Sequence, residues 1–261
     1  MKALAALALA WLTSAAYAGE FVAPYVDTVE EDVEMILDLA DVGPGDYLID
    51  LGAGDGRFVI GAAQRGALAH GVELDPALVE RARANAERAG VSERTHFEIG
   101  DIFDADIAMA SVVTIYLFPE ANIALRPKLL ADLAPGTRLV SNSFHMGDWA
   151  PDARAQGRTS GGALLWIIPA NAAGIWRFTT PRGPAQLMIE QRYQRIDARL
   201  EIDGERVPLE SAVLRGDVIQ CVAAGGTLTL HGRIDGPEMT GQLTLAGNRT
   251  PLTAIRDTAT P

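Results

Sequence analysis

The chain has 261 residues, of which 48% are apolar and 21% carry charged side chains, a composition typical of globular rather than disordered or fibrous proteins. Lysine and arginine number 22 against 34 aspartates and glutamates, so the formal net charge at pH 7 is −12. Nucleic-acid binding needs a positive field along the phosphates, and this bulk charge argues against nucleic acid as the partner.

The first 18 residues have the pattern of a secretory signal peptide. Lys2 gives a positive start, an apolar run follows over residues 3–12, and Ala16-Tyr17-Ala18 is a cleavage signal before Gly19. The run is too short for a stable bilayer-spanning helix, so no membrane span is expected after cleavage. The prediction is a periplasmic or secreted protein. The alternatives are an N-terminal membrane anchor and a misassigned start upstream of a cytoplasmic protein.

The first element after this leader is a helix predicted over residues 28–40. Thr28 and Glu31 form the T-x-x-E pattern of a capping box, and apolar residues then recur at helical spacing. The turn residues Gly43-Pro44-Gly45 end the helix.

From residue 47 onward, short apolar strands alternate with helices. Strands are predicted at 47–51, 69–73, 95–99, 111–117 and 138–143, and helices near 58–65, 76–89 and 121–133. Alternation of this kind indicates parallel βαβ units. The predicted fold class is therefore α/β, with a Rossmann-like, doubly wound sheet.

After about residue 162 the helical period disappears and strand patterns replace it. Strands are predicted at 164–168, 174–179 and 186–192, and hairpin turns at Asp203-Gly204 and Asp235-Gly236. We expect a small antiparallel β-rich C-terminal module, a barrel or half-sandwich. The predicted division is a signal peptide at 1–18, an α/β domain at 19–165 and the module at 166–261. The parallel sheet is expected to take its last strands from residues 164–192.

Cysteine and histidine give no indication of a metal site. Cys221 is the single cysteine, which excludes an intramolecular disulfide and a cysteine-rich zinc site. Its apolar, strand-like surroundings predict a buried structural thiol. No HxH or HxxxH spacing links the four histidines, which are His70, His96, His145 and His231.

A glycine-rich turn follows the first predicted strand, in the run D-L-G-A-G-D-G-R from Asp50 to Arg57. Gly52, Gly54 and Gly56 can take a positive φ and let the backbone pass close to a ligand. Free N–H groups at the start of the next helix would face that ligand. The loop alone is weak evidence, because nicotinamide and flavin proteins use a similar one.

Two acids sharpen the prediction. Glu73 ends the second strand, where a carboxylate accepts hydrogen bonds from both hydroxyls of an adenosine ribose, and Asp101 follows the third strand, placed for an adenine amino group. Each could singly be a solvated loop acid. Together with the glycine loop they lie at the carboxyl ends of three consecutive strands, the crevice where open α/β sheets bind ligands.

These residues resemble class I methyltransferases, which depend on S-adenosylmethionine (SAM). The spacing is Gly-x-Gly-x-Gly with Asp50 two residues ahead, unlike the GxGxxG of dinucleotide dehydrogenases. The segments 24–28, 50–57 and 116–119 are similar to one branch in particular. That branch contains bacterial proteins of unknown substrate and the mitochondrial protein-lysine methyltransferases that modify ATP synthase and nucleotide-translocase subunits. The resemblance covers roughly residues 21–150.

The resemblance implies SAM as the cofactor and a protein or small molecule as the methyl acceptor. The amino-acid end of SAM would lie against Asp50 and the glycines, with Tyr25 and Thr28 closing over it. Glu73 would hold the ribose, and Asp101 with Ile102 the adenine. The implied cofactor-binding residues are thus Tyr25, Thr28, Asp50, Gly52, Gly54, Gly56, Glu73, Asp101 and Ile102.

The run Y-L-F-P-E, residues 116–120, ends the fourth strand where related enzymes present the substrate. It departs from the Asn-Pro-Pro-Tyr motif of many amide and DNA-amine methyltransferases, which argues against those substrates. Tyr116 and Glu120 are the candidate catalytic residues, able to position or deprotonate an amine, and Asn122 could donate a hydrogen bond. Alternatively, Tyr116 and Phe118 pack on the sheet and Glu120 caps the next helix. A second substrate wall is expected from Asn142, His145, Asp148 and Trp149.

Three functions follow from these patterns. The leading one is a SAM-dependent methyltransferase acting on an unidentified nucleophile, such as a protein lysine amine. The second is an exported binding protein that has kept the adenosyl-ligand crevice without catalysis. The third, a nicotinamide oxidoreductase, is disfavoured by the glycine spacing.

Overall fold

The computed structural model describes residues 28–158 and 161–257. These residues divide into two compact units. One contains the described residues up to Leu133 together with Arg138–Trp166, and the other contains Ala134–Thr137 and the residues from Ile167 onward. The predicted signal peptide and Tyr25 lie outside the described residues. Within the described part of the chain, no helix has the length and apolarity needed to cross a membrane.

The first unit is built on a seven-stranded sheet with the strand order β3-β2-β1-β4-β5-β7-β6. Its strands are β1 (Tyr47–Leu51), β2 (Leu68–Glu73), β3 (Thr95–Ile99), β4 (Val112–Ile115), β5 (Arg138–Asn142), β6 (Ala153–Ala155) and β7 (Ala163–Ile167). Strands β1 to β5 pair in parallel, whereas β6 and β7 pair antiparallel. The predicted doubly wound α/β sheet is therefore confirmed.

Among the residues that the structure describes, four α-helices connect or precede the parallel strands, namely α1 (Glu30–Leu39), α2 (Arg57–Gln64), α3 (Pro76–Arg88) and α4 (Pro119–Asp132). The central strands are short apolar runs without polar alternation, and β4 is buried along its whole length. Burial on both faces is what a parallel sheet covered by helices requires. α1 buries the stripe of Val33, Ile36 and Leu37, which recur at helical spacing.

The predicted capping box at Thr28 is wrong. α1 begins at Glu30 with Val29 as its N-cap, and no side chain of the described residues caps it. The Thr28 side chain is buried instead, and its hydroxyl oxygen accepts a hydrogen bond of 3.4 Å from the Asn142 amide at the end of β5. Because this tertiary contact directs the hydroxyl away from the helix, the local sequence signal does not determine the cap.

The second unit is a nine-stranded antiparallel sheet with the order β11-β10-β9-β8-β16-β15-β14-β13-β12. Its strands are β8 (Gly174–Thr180), β9 (Gly183–Arg192), β10 (Arg195–Ile202), β11 (Glu205–Val207), β12 (Leu209–Arg215), β13 (Val218–Ala223), β14 (Leu228–Asp235), β15 (Glu238–Leu245) and β16 (Asn248–Arg256). β10 and β12 come from opposite ends of this order, yet they contact each other. The sheet therefore curls around one apolar core, and the predicted β-rich module is confirmed.

Cys221 lies in this core and is fully buried, as predicted. Burial raises the pKa of its thiol to about 12, so it is a packing group and not a nucleophile. The two predicted hairpin turns are present, because Ile202 pairs with Glu205 and Asp235 pairs with Glu238.

Two strand assignments need correction. Of the predicted strands in residues 164–192, only β7 joins the parallel sheet, whereas β8 and β9 pair within the nine-stranded sheet. The strands β6, β12 and β16 are absent from the predicted set.

Candidate functional site

Most of the predicted ligand-binding residues lie at the carboxyl ends of the first four parallel strands. β1 ends directly before the glycine loop (residues 52–56), and β2 ends at Glu73. β3 ends two residues before Asp101, and β4 ends directly before Tyr116. Since parallel strands end at the same edge of a sheet, these residues line one crevice.

The glycine loop has a backbone that only glycine adopts readily. Gly52, Gly54 and Gly56 have φ values of +91°, +55° and +86°. A Cβ at Gly56 would lie 2.8 Å from the Phe97 ring, so Gly56 is packed inside the unit with no room for a side chain. Gly52 is exposed, and a Cβ there would lie 3.3 Å from Leu117 Cδ2. The loop after β4 therefore lies beside the open part of the glycine loop.

The Glu73 carboxylate is held by backbone N–H groups on both oxygens. Oε2 accepts from Gly54 at 2.9 Å, which ties the end of β2 to the glycine loop. Oε1 accepts from Leu74 and Asp75 at 2.8 and 3.0 Å. These bonds fix the carboxylate at the crevice edge. Oε1 already accepts two hydrogen bonds, whereas Oε2 accepts one and keeps a lone pair for a hydroxyl group.

Asp50 is the most perturbed acid of the site. It is buried in β1, and its Oδ1 accepts a 2.7 Å hydrogen bond from the Thr114 hydroxyl, on the paired strand β4. Its Oδ2 is buried with no hydrogen-bond partner among the described residues. Burial, opposed by the Thr114 bond and reinforced by the nearby charges of Glu73 and Asp55, raises the pKa of Asp50 to about 7.

Asp101 and Ile102 follow β3 and are both half-buried. The Asp101 carboxylate accepts a hydrogen bond from the Phe103 N–H at 2.9 Å. The backbone carbonyl oxygen of Asp101 accepts from the N–H groups of Asp104 and Ala105. This tight local turn fixes the side chain at the third strand end, where the sequence predicts adenine recognition.

An ion pair that the sequence analysis missed supports the far side of the glycine loop. Arg57 makes two parallel hydrogen bonds to Asp55, at 2.8 and 2.7 Å, and also donates to the Thr28 carbonyl oxygen. Asn85 on α3 donates to the Asp55 carbonyl oxygen at 2.8 Å. Arg57 thus fastens the chain entering α1 to the glycine loop. The run D-G-R, which ends the glycine-rich motif, is the sequence signal from which this ion pair could have been predicted.

Three aromatic rings meet where the sequence predicts the methyl acceptor. Tyr116 stacks on Phe144 with a centroid distance of 6.1 Å, and Phe118 lies 5.8 Å from the same ring. Phe118 is 45% exposed, so its alternative interpretation as a sheet-packing residue is wrong. Glu120 is exposed in the first turn of α4, which has no side-chain cap within residues 28–158. Phe144 had not been predicted.

Asn122, by contrast, is a structural residue. It is fully buried, and its amide donates to the Ser141 hydroxyl at 3.2 Å and to the Phe144 carbonyl oxygen at 3.4 Å. It therefore shapes the loop that carries Phe144 instead of facing an acceptor. Trp149 is also buried, and its ring packs on Trp166, so it is not an open wall of the crevice.

The remaining residues after β5 differ in exposure. His145 and Asp148 are exposed, whereas Asn142 is buried and contacts Thr28. His145 Nδ1 accepts from the Gly147 N–H at 3.0 Å, and Asp148 forms an ion pair with Arg126. Both side chains thus have local partners.

Known proteins with similar sequences identify the first unit. Residues 50–153 match the family described as the ANTKMT methyltransferase domain. The protein-lysine N-methyltransferase of Saccharolobus islandicus is 42% identical over 130 residues, which are 49% of this chain and 81% of that protein. The chain belongs to the class I SAM-dependent methyltransferases.

Two further comparisons show how much of this chain resembles known methyltransferases. The adenine nucleotide translocase lysine N-methyltransferase of Mus musculus is 39% identical over 131 residues, which are 50% of this chain and 57% of that one. A crystal structure described as an RNA methyltransferase from Salinibacter ruber in complex with S-adenosyl-L-homocysteine is 48% identical with a TM-score of 0.54, and covers 56% of this chain and 95% of that one. The family match ends at residue 153, before the first strand of the nine-stranded sheet begins at Gly174.

SAM is the cofactor of this methyltransferase, and the crevice fits it. The unpartnered oxygen of Asp50 can accept from an ammonium group, the open backbone at Gly52 admits a ligand, and Oε2 of the fixed Glu73 carboxylate can accept from a hydroxyl. Neither the binding protein without catalysis nor the oxidoreductase is favoured. The assignment of individual residues to parts of SAM stays a prediction.

Proposed function

We propose that this methyltransferase methylates a lysine side-chain amine of a protein. The observation that carries the proposal is the 42% identity to 81% of the Saccharolobus islandicus protein-lysine N-methyltransferase. Two mouse lysine N-methyltransferases, one named for the adenine nucleotide translocase and one for ATP synthase, are 39% and 37% identical and support the same acceptor class. Bound SAM supplies an electrophilic methyl group, so the chain has to orient the amine and exclude water.

The acceptor side of the crevice suits a lysine. Aromatic faces attract a cation and also pack against its aliphatic stem, and Tyr116, Phe118 and Phe144 form such a surface. Leu117, between the first two in the sequence, lies next to Gly52. A lysine arrives protonated and has to lose a proton before it attacks. Glu120 is an exposed carboxylate next to these rings in the sequence, and we assign it the attraction of the ammonium group and the acceptance of that proton.

RNA is the second candidate acceptor, because the Salinibacter ruber structure is described as an RNA methyltransferase. The net charge of −12 opposes the approach of phosphates and favours that of a basic protein. This charge is the reason for preferring lysine over RNA.

The two acceptors are separated by one labelling experiment. Residues 19–261 would be incubated with methyl-labelled SAM and one of three substrates: a lysine-rich polypeptide, the same polypeptide with acetylated lysines, or total RNA. We expect label in the unmodified polypeptide alone, and none with the Glu73→Ala control. Label in RNA alone would overturn the proposal.

We further propose that residues 1–18 direct export and are removed before Gly19, which leaves a periplasmic or secreted enzyme. The positive start, the apolar run and the Ala-Tyr-Ala cleavage signal support this location. N-terminal sequencing of protein from fractionated cells decides it. A chain that starts at Gly19 outside the cytoplasm is expected, and an intact Met1 in the cytoplasm would contradict it.

A further inference from the structure

A second group of ionisable side chains lies on β2 and β3. His70 and His96 are register partners across these parallel strands, and Glu98 lies two residues further along β3, on the same face as His96. One donor atom from each of the three residues lies within 4.8 Å of the other two. In the sequence the histidines are 26 residues apart, and only the strand register makes them neighbours.

His70 has a free ring nitrogen directed at this group. Its Nε2 is buried without a hydrogen-bond partner among the described residues, and it lies 3.6 Å from Glu98 Oε1. The other ring nitrogen, Nδ1, lies 3.2 Å from the Tyr47 hydroxyl. In the tautomer with the proton on Nδ1, that nitrogen donates to the phenolic oxygen and the Nε2 lone pair is available to a cation.

We propose that His70, His96 and Glu98 bind a divalent cation of the Zn²⁺ type, with Tyr47 orienting His70 from outside the coordination shell. Two imidazoles and a carboxylate are ligands that Zn²⁺ prefers. Bonds of about 2.0–2.1 Å in a tetrahedral shell place neighbouring ligand atoms about 3.4 Å apart, which is close to the 3.6 Å between His70 and Glu98. His96 is exposed, so its ring can turn to close the remaining distance. Water would take the fourth position.

The site is separate from the crevice. His70 precedes Glu73 by three residues, which is about 10 Å along a strand. β3 is the edge strand of the seven-stranded sheet, and a cation shared between β2 and β3 would fasten that edge. The expected role is therefore structural.

The test uses residues 19–261 without an affinity tag, stripped of metal with a chelator. Titration with Zn²⁺ by calorimetry and with Co²⁺ by visible absorption should show one equivalent and the bands of a four-coordinate site. Tyr47→Phe should weaken binding about 10–100-fold, as loss of an outer-shell partner does, and His96→Gln and Glu98→Gln should weaken it more than that. Zn²⁺ should also raise the melting temperature of the parent.

His231→Gln is the matched control, because His231 is exposed on β14 in the other unit and should leave binding unchanged. Binding of S-adenosylhomocysteine at the parent affinity shows that each variant is folded. If His96→Gln fails to fold, Glu98→Gln decides. The proposal is overturned if Zn²⁺ does not bind at one equivalent, or if a folded His96→Gln or Glu98→Gln variant binds it as tightly as the parent.

Discussion

Asp50 combines a cost to folding with a predicted function in cofactor binding. A buried carboxyl with one unpartnered oxygen is unfavourable when charged, and that is why its pKa rises to about 7. An ammonium group placed against the free oxygen would reverse this effect. The residue is therefore suited to a ligand group with a positive charge, such as the ammonium group of SAM.

The pH dependence of stability follows from this pKa. Since the folded-state value lies above the ordinary 3.8, the carboxyl favours the fold below about pH 4, and this contribution is lost as the pH rises through about 7. The rise corresponds to at most about 4 kcal/mol of unfolding free energy. Asp50→Asn should thus flatten the loss of stability between pH 5 and pH 8, measured by urea unfolding without SAM. If the unfolding free energy changed with pH equally in parent and variant, the burial of Asp50 would not be the cause of this pH dependence.

The exposed glycine of the loop yields a second prediction at the same scale. Gly52→Ala forces a side chain into φ +91° and places its Cβ at the open face beside Leu117. We expect a cost of about 1–2 kcal/mol in stability and at least a tenfold loss in SAM affinity, measured by calorimetry. Gly45→Ala is the matched control, because its φ is +95° and no atom lies within 4 Å of the new Cβ. It should lose similar stability and keep its SAM affinity.

At the scale of elements, the loop between β4 and α4 carries the proposed acceptor surface. Phe118→Ala should lower the rate of lysine methylation and leave SAM affinity unchanged, since the exposed ring contacts Phe144 on the acceptor side. The cost in stability should be about 1 kcal/mol, because only about half of the ring is buried. Leu68→Ala is the control. Leu68 is 53% exposed at the opposite end of β2, and its loss should not change the rate. A similar rate loss in both variants would contradict a specific role for Phe118.

The sequence predicted those elements whose hydrophobic pattern can be recognised within one short segment. Alternating strands and helices determine a parallel sheet, and parallel strands necessarily bring Glu73 and Asp101 to the edge where the glycine loop lies. β16 was not predicted, and it contains Pro251, a residue that is disfavoured in central strands. At Pro251 the strand has a neighbour on one side only, because β16 pairs there with β15 and pairs with β8 only at Ile255 and Arg256. The proline therefore lies where β16 behaves as an edge strand.

The features that the sequence did not predict depend on which elements become neighbours. The Arg57 contact to Thr28 joins residues 29 positions apart, and the bond between Thr114 and Asp50 spans 64 positions. Neither pairing leaves a periodic signal, because each depends on strand register or on helix packing. The same reason concealed the proximity of His70 and His96.

At the scale of the whole molecule, the matched relatives cover about half of this chain, and the nine-stranded sheet lies outside the family match. The match to the Salinibacter ruber structure includes 95% of that chain but only 56% of this one. A chain without a nine-stranded unit can therefore form this fold. The methyltransferase unit should therefore not need the second unit to bind its cofactor.

We expect residues 19–169, which keep β7, to fold and to bind S-adenosylhomocysteine within about tenfold of the full chain, or about 1.4 kcal/mol. Calorimetry measures the affinity, and Glu73→Ala in the fragment controls for nonspecific binding. An insoluble or non-binding fragment would show that the second unit is needed for folding. If the fragment binds the cofactor but no longer methylates a polypeptide that the full chain methylates, the nine-stranded unit contributes to acceptor recognition. Equal rates would restrict acceptor recognition to the crevice of the first unit.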